Sequence, residues 1–174
     1  MSKPASSAAL PIAHVVLRIL IVLNWLSGAA IATLLIAMPT RRWIMSALAL
    51  SPSPEADQLI MGLRAIAVLG LLAIPLNYIV LRRLLAIVET VRAGDPFVAA
   101  NASRLQAIAW VMLALQLLSL AIGTIAKAVS TPAHPLHLQA GFSISGWLAV
   151  LLTFLLARVF AEGTRMREEL EGTV

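Results

Sequence analysis

Four long apolar runs, separated by short polar connections, occupy most of this chain. We place them at about 12–38, 59–81, 105–129 and 138–160. Each is close to the roughly 20 residues with which a helix crosses about 30 Å of hydrocarbon. Helices are required there because lipid offers no partner to unpaired backbone groups. The pattern predicts an all-α integral membrane protein, and its short links favour an up-down-up-down four-helix bundle.

Capping and helix-breaking residues mark where the second span begins and ends. Asp57 follows a stretch of serines and prolines and is placed to cap the start of that helix. Pro75 is expected to kink the helix. Beyond Leu81 the apolar positions keep a helical spacing, so the helix should continue into the cytoplasm or along the interface. Gly94 is the expected left-handed residue that ends it.

The polar stretch GDPFVAANASRLQ interrupts the apolar pattern in the middle of the chain. Asp95 and Pro96 are expected to start a short new turn, as N-cap and first helical residue. Phe97 is then free to dip into the headgroup boundary. Asn101 or Ser103 is expected to cap span three.

We refer to residues 82–104 as the elbow and to residues 161–174 as the tail. Two arginine–glutamate pairs at i,i+4 spacing contribute a few tenths of a kcal/mol each to a tail helix; they are Arg165 with Glu169 and Arg167 with Glu171. Three apolar side chains on this charged segment are available to a partner helix, namely Phe160, Met166 and Leu170. Two interpretations stay open: the elbow is a plain hairpin connection, or it forms a docking surface with the tail.

Composition supports the membrane class and excludes others. Hydrophobic residues make up 60% of the 174 residues and charged residues 12%, against about 45–50% and about 25% in soluble domains. With no cysteine, disulfides, thiolate metal sites and cysteine nucleophiles are excluded. The formal charge of +5 lies at span ends without interleaved aromatics. We therefore expect anionic lipid headgroups as its counter-charge and no direct contact with nucleic acid. We treat residues 1–174 as a single membrane domain.

The basic residues predict how the bundle is oriented. By the positive-inside rule, the short loops richer in lysine and arginine face the cytoplasm. The N-terminus, the elbow and the C-terminal end carry most of them: Lys3, Arg82, Arg83, Arg92, Arg104, Arg158, Arg165 and Arg167. The other two links hold Arg41, Arg42 and Lys127. Both termini and the elbow are therefore expected on the cytoplasmic side.

Charged side chains inside the spans are costly, and by default they suggest a function. Arg18 lies about 9 Å into span one, close enough for its guanidinium to reach the cytoplasmic headgroups. Arg64 is about as deep from the outer side. It either joins an outer ion cluster or binds a ligand; the cluster would comprise Arg64, Lys127, Glu55 and Asp57.

Two amides and one small-residue face are placed for contacts between helices. Asn24 and Gln116 fall near the midplane, where interhelical hydrogen bonds of about 0.6 kcal/mol are the plain expectation. A shared polar pocket is the alternative. Gly28 and Ala32 form a small-x-x-x-small face that lets another helix approach closely. That face serves either the bundle or a dimer, so a homo-oligomer stays open.

Side chains suited to catalysis or metal binding are sparse. His134 and His137 are two metal ligands without a third. His14, near the inner end of span one, is expected to contact headgroups. The sequence contains no glycine-rich phosphate loop, Ser-x-x-Lys or His-x-Glu arrangement. We expect no enzymatic activity, no cofactor and no metal site.

The stretch GDPFVAANASRLQAIAW, with LARVFAEGTRMREELEGTV near the end, resembles a bacterial family of small four-span membrane proteins, domain of unknown function 2975. The resemblance covers almost the whole chain and implies a multi-pass protein of the bacterial inner membrane. The matching positions are Gly94, Pro96, Phe97, Asn101, Arg104, Leu105, Val159, Phe160, Glu162, Gly163, Glu169, Thr173 and Val174. A typical member has arginine or lysine where Gln106 stands, so this elbow carries less charge.

The genes of this family often neighbour a small helix-turn-helix regulator of the Cro/C1 type. The resemblance therefore implies a regulatory or signalling protein whose elbow and tail contact such a transcription factor. From the motif positions this docking hypothesis takes Gly94, Pro96, Phe97, Asn101, Arg104, Phe160, Glu162, Gly163 and Glu169, and it adds Arg165, Met166 and Leu170. The alternatives are a small transporter, channel or lipid-binding bundle, with Arg64, Asn24 and Gln116 along a path, or a structural subunit of a membrane complex.

Overall fold

Four long helices make up most of the described chain. The computed structural model describes residues 6–37, 44–46, 53–131, 136, 138 and 140–171. The helices are α1 (Ser6–Ala37), α2 (Pro54–Arg92), α3 (Ala99–Val129) and α4 (Ile144–Glu171). Each contains a window apolar and long enough to cross a membrane, which confirms the predicted all-α membrane fold. Several positions named above lie outside the described residues: Lys3, Arg41, Arg42, His134, His137, Thr173 and Val174.

The helices extend beyond the predicted spans at the elbow and the tail. α2 runs without interruption for 39 residues, so the amphipathic segment after Leu81 belongs to the same helix. Pro75 lies inside α2, which stays helical on both sides of it. α3 starts at Ala99 rather than at 105, and α4 continues through the tail as far as Glu171.

Ser53, rather than Asp57, caps the start of α2. The Ser53 Oγ accepts a 3.2 Å hydrogen bond from the Ala56 N–H, and the Ser53 carbonyl accepts one of 3.2 Å from the Asp57 N–H. Pro54 takes the first helical position, where a missing N–H leaves no bond unmade. The predicted cap was wrong because Asp57 already lies in the first turn, where its charge favours the positive end of the helix dipole.

Contacts divide the chain into two compact units. The first, which we call the elbow unit, comprises Met1–Asn24, Leu76–Ala114 and Ile144–Val174. The second, the loop unit, comprises Trp25–Pro75 and Leu115–Ser143. The elbow and the tail both belong to the elbow unit, together with all of α4.

Small and branched apolar side chains of α3 and α4 are buried in the elbow unit. The buried ones are Leu105, Ile108, Ala109, Val150 and Ala157. Trp110 and Phe154 meet edge to face with their ring centroids 5.2 Å apart, an arrangement that aromatic pairs prefer. Large apolar side chains stay exposed on the helices, among them Ile12, Leu26, Leu151 and Leu155. Exposed apolar surface on this scale is typical of contact with lipid.

Glycines bring helices of the loop unit close together. Gly62 on α2 faces Val129 on α3 so closely that a Cβ there would lie 2.5 Å from Val129 Cγ1. Gly28 on α1 faces Ile74 on α2, with only 3.0 Å from such a Cβ to Ile74 Cγ2. The small-residue face predicted at Gly28 therefore serves a contact within the chain.

The segment before α4 lies along α3 in the loop unit. The Gly141 N–H donates a 3.1 Å hydrogen bond to Ser119 Oγ, and the Ser119 hydroxyl reaches the Gly141 carbonyl at 3.4 Å. Gly123 makes room for this backbone, since a Cβ there would lie 2.6 Å from Gly141 Cα. Gly141 has a φ of +126°, which no helix contains. These contacts explain why α4 begins at Ile144 rather than at 138.

Candidate functional site

Gly94 ends α2 as predicted. Its φ of +88° is left-handed, and its N–H donates a 3.1 Å hydrogen bond to the Val91 carbonyl. The next N–H, of Asp95, donates to the Thr90 carbonyl at 3.1 Å. This pair of bonds is the Schellman motif, which satisfies the last carbonyls of a helix. The elbow therefore changes direction at a defined residue.

The predicted caps in the rest of the elbow were wrong. Asp95 and Pro96 belong to an irregular stretch rather than to a helical turn, and α3 starts three residues later, at Ala99. Asn101 and Ser103 then lie inside the helix. Ser103 donates a 2.8 Å hydrogen bond to the Ala100 carbonyl of its own turn, while Asn101 reaches back into the elbow.

Asn101 is the centre of the elbow. Its side chain is completely buried, and Nδ2 donates to Thr90 Oγ1 at 2.7 Å and to the Pro96 carbonyl at 2.9 Å. Thr90 in turn donates to the Ile87 carbonyl at 2.7 Å. A buried amide is stable only when its hydrogen bonds are made, and these bonds join the end of α2, the irregular stretch and the start of α3.

Arg104 completes this network. Its Nη1 donates to Asn101 Oδ1 at 2.8 Å and lies 3.4 Å from the Ala86 carbonyl on α2. Asn101 and Arg104, which are both motif positions, thus act together, because Asn101 orients the Arg104 guanidinium. No sequence pattern indicated the part played by Thr90, which lies 11 residues before Asn101.

Phe97 is not free but packs where α4 enters the tail, against Phe160, the last residue before it, and Gly163 within it. Its ring stacks on Phe160 with centroids 5.3 Å apart and an interplanar angle of 28°. Gly163 lies beside the same ring, and a Cβ there would be 3.8 Å from Phe97 Cδ1. These three motif residues therefore form one contact between elbow and tail.

Charged side chains make a second contact between elbow and tail. Arg167 Nη1 lies 2.6 Å from Asp95 Oδ1. Arg165 pairs within the tail, at 3.2 Å from Glu169 and 3.6 Å from Glu162. The predicted pair of Arg165 with Glu169 is confirmed, whereas the side chains of Leu170 and Glu171 lie outside the described part.

A groove of about 500 Å³ runs between α3 and α4 beside these contacts. Its lining combines small residues with polar and charged ones: Ala99, Ala102, Ser103, Gln106, Phe154, Ala157, Arg158, Ala161, Thr164 and Arg165. Thr164 is buried, with its hydroxyl donating to the Phe160 carbonyl at 2.8 Å. The docking hypothesis did not include Arg158 or Thr164, because neither is among the matching positions of the family motif.

The polar residues predicted within the spans lie apart from this region or on exposed faces. Arg18 is exposed on α1, and Arg64 and Lys127 are exposed in the loop unit. Asn24 and Gln116 are half-buried. The outer ion cluster and the shared polar pocket stay predictions.

His14 lies near a carboxylate of α2. Its Nε2 is 3.7 Å from Glu89 Oε1, and only 17% of its side chain is exposed. The expected headgroup contact stays a prediction beside this contact between α1 and α2 of the elbow unit. Among the residues that the structure describes, no three histidine, cysteine or acidic side chains are grouped to hold a metal ion.

A comparison with protein families gives a match over residues 42–174, to the family described as protein of unknown function (DUF2975). The chain belongs to the DUF2975 family. No curated protein and no solved structure gives a significant match.

The DUF2975 motif residues meet in the elbow unit. The stretch that begins at Gly94 and the stretch that begins at Leu156 contact each other through an aromatic stack and an ion pair. Because the two stretches are far apart in sequence, the family pattern describes one structural region rather than two. The elbow and the tail, which the docking interpretation had placed on one surface, are in contact.

Proposed function

We propose that this DUF2975 protein is a regulatory protein of the bacterial inner membrane that binds a small helix-turn-helix transcription factor at its cytoplasmic face. The observation that carries the proposal is the joining of elbow and tail through Phe97 with Phe160 and Asp95 with Arg167. A surface held together in this way is preorganised, which lowers the entropy cost of binding a partner. The family resemblance supplies the kind of partner.

The groove between α3 and α4 fits an amphipathic helix of that partner. From Phe154 to Arg165 it follows about three turns of α4, or about 16 Å. Alanines along its lining allow another helix to approach closely, while Arg158 and Arg165 supply positive charge. We therefore expect the partner helix to present acidic side chains beside a narrow apolar face.

Exposed apolar side chains extend the docking surface beyond the groove. Phe97 is 48% exposed despite its stack on Phe160, and Met166 on the tail is 54% exposed. Apolar side chains surrounded by charged ones are typical of protein contact sites. Methionine also adapts its shape to different partners.

The charge distribution supports a cytoplasmic position for this surface. Most of the 13 lysines and arginines belong to the elbow unit, and the positive-inside rule assigns such loops to the cytoplasm. A transcription factor is available on that side only.

The proposed role is binding rather than catalysis. The polar side chains of the elbow form hydrogen bonds with one another and with backbone carbonyls, as seen for Thr90, Asn101 and Arg104. Groups engaged in this way hold the shape of the elbow, whereas a catalytic base or nucleophile has to face a substrate.

Membrane retention of the regulator encoded beside the gene tests the proposal. A tagged copy is co-expressed with the full chain, and its membrane-bound fraction is measured after fractionation. Arg158→Glu combined with Arg165→Glu should lower the affinity at least about tenfold, because attraction to an acidic helix becomes repulsion. Gln106→Arg, which adds a cation to the groove, should raise it. Deletion of 165–174 combined with Phe97→Ala should release the regulator.

Arg92→Glu is the matched control, since it reverses one exposed charge at the end of α2 outside the groove. Normal retention with this variant, together with loss in the double variant, would support the docking surface. Equal retention in every variant would contradict it, as would an equal loss with Arg92→Glu. A genome without a neighbouring helix-turn-helix gene would remove the argument for this kind of partner.

A further inference from the structure

A second cavity of the elbow unit, of about 300 Å³, is lined by α2 and α3. Its lining consists of Tyr78, Ile79, Arg82, Arg83, Ala86 and Arg104. Half of these side chains are guanidinium groups, and none is acidic. The docking groove between α3 and α4 shares no residue with it.

The two arginines that α2 contributes to the cavity have no counter-charge in the described part of the chain. Neither Arg82 nor Arg83 forms an ion pair or a hydrogen bond with the residues that the structure describes. The next carboxylate along α2, that of Glu89, faces His14. Guanidinium groups that converge without a carboxylate repel one another, so an anion between them lowers the energy of the site.

Arg104 is held in a fixed orientation at the cavity wall. Its Nη1 donates to Asn101 Oδ1, and Asn101 is itself fully buried and anchored to Thr90 and Pro96. Among the described residues, these bonds use Nη1 of the guanidinium alone. Nε and Nη2 keep the geometry with which arginine binds two oxygens of one phosphate. The Arg104 side chain is therefore already ordered when the protein folds, so binding an anion costs little further side-chain entropy.

The position of the cavity along both helices selects phospholipid as the source of the anion. On α2 the apolar run ends at Leu81, just before Arg82, and on α3 Arg104 comes directly before the run that starts at Leu105. Both helices thus place their arginines at the boundary where lipid phosphates lie. Tyr78 is of the residue type enriched at that boundary, and the exposed Ile79 offers an apolar surface to an acyl chain.

We propose that this cavity binds the phosphate of an anionic phospholipid, with Arg82, Arg83 and Arg104 as its ligands and Ile79 against the acyl chain. Basic pockets between spanning helices are known to hold anionic headgroups. The inference does not depend on the proposed transcription factor, whose contact uses the groove between α3 and α4. Failure of one proposal therefore leaves the other intact.

Lipid titration of the full-length protein in neutral detergent tests the site. Phosphatidylglycerol and phosphatidylcholine are added separately, and binding is measured by native mass spectrometry and by the rise in Tm. Phosphatidylglycerol should stay bound and raise the Tm, because a ligand that binds only the folded state stabilises it. Arg82→Gln combined with Arg83→Gln should weaken this binding at least about tenfold, since charge-assisted hydrogen bonds are lost.

Arg92→Gln is the matched control, because it removes one arginine from the same helix outside the cavity lining. Affinity for phosphatidylglycerol should change by less than about twofold, as expected for an exposed charge. The proposal would be overturned by an equal loss in Arg92→Gln, or by equal binding of the two lipids. Single variants at Arg82 and Arg83 keep the test decisive if the double variant loses its fold.

Inorganic phosphate distinguishes a lipid from a soluble anion. In the presence of phosphatidylcholine, millimolar phosphate should leave the Tm unchanged and should not displace phosphatidylglycerol. If phosphate alone gives the same stabilisation and competes with the lipid, the site takes a soluble phosphate and the lipid assignment is wrong. The arginine variants would then lose the phosphate response as well.

Discussion

The guanidinium of Arg167 donates a 2.6 Å hydrogen bond to the carboxylate of Asp95, across 72 positions of sequence. Both side chains are 47% exposed, so solvent screens the pair and its contribution to stability is only about 0.2–1 kcal/mol. Its importance is geometric, because it fixes where along the elbow the tail lies. The stack of Phe97 on Phe160 is a second contact between the same two stretches of chain.

Charge reversal separates these two roles of the Asp95–Arg167 pair. Asp95→Arg and Arg167→Asp should each lower retention of the partner severalfold, yet change the free energy of unfolding by less than about 1 kcal/mol. The double variant restores the attraction with the charges exchanged and should recover much of the retention. Membrane fractionation and thermal unfolding in detergent measure the two quantities. No recovery in the double variant would mean that the pair does not position the tail.

Replacing Asn101 should destabilise the elbow. Asn101→Leu keeps the branched shape of the side chain but leaves the Pro96 carbonyl, the Thr90 hydroxyl and the Arg104 guanidinium without their bonds to Asn101, at a cost of about 1–3 kcal/mol. Ser103→Ala is the control, because Ser103 is exposed and bonds only its own helix; it should change stability by less than about 0.5 kcal/mol. Equal unfolding temperatures for the two variants would show that the network is not important for stability.

Two glycines of α2 should respond oppositely to the same substitution. Gly62→Ala places a methyl group 2.5 Å from Val129 Cγ1, and a branched side chain cannot easily rotate away, so a loss of about 1–3 kcal/mol is expected. In Gly70→Ala the nearest atom is Ile31 Cδ1, at 3.9 Å. That variant should be neutral or gain up to about 1 kcal/mol of helix propensity. Unfolding in detergent compares them, and equal effects would place the close contact elsewhere.

Gly94 should tolerate asparagine better than alanine. Among the residues that the structure describes, none has an atom within 4 Å of a Cβ at this position, so the expected cost of a side chain comes from the positive φ. Gly94→Ala is expected to lose about 1–2 kcal/mol, and Gly94→Asn clearly less, because asparagine visits the left-handed region more readily. Amide hydrogen exchange of the last turn of α2 reports the change locally. Faster exchange with asparagine than with alanine would contradict the Schellman cap.

Much of the fold could be predicted from the sequence, because apolar runs of this length have few alternatives in lipid. The helix-ending role of Gly94 was also predictable, since few residues adopt its conformation. The caps were not. Several residues near each helix start are capable of capping, and the choice of Ser53 depends on a proline that follows it. The late start of α4 depends on the contact of Gly141 with Gly123, which no local pattern indicates.

The candidate site was predicted as a set of residues but not as an arrangement. The motif positions around Phe97 and Phe160 were identified, yet their stacking joins segments that are distant in sequence. Thr90 and Arg158 were not assigned to the candidate site, because a single threonine or arginine at a span end is ordinary. Only the packing of α2, α3 and α4 gives these residues a role.

The course of the chain along Ser119 and Gly123 leaves α4 with a short apolar stretch. From Ile144 to Phe160 it covers about 25 Å, whereas an average bilayer presents about 30 Å of hydrocarbon. The bilayer beside α4 must become thinner, or the side chains that flank the span must extend to the headgroups. The cost is a fraction of a kcal/mol for each ångström of mismatch. The acyl-chain length of the host membrane therefore acts as a mechanical load on the helix that carries the tail.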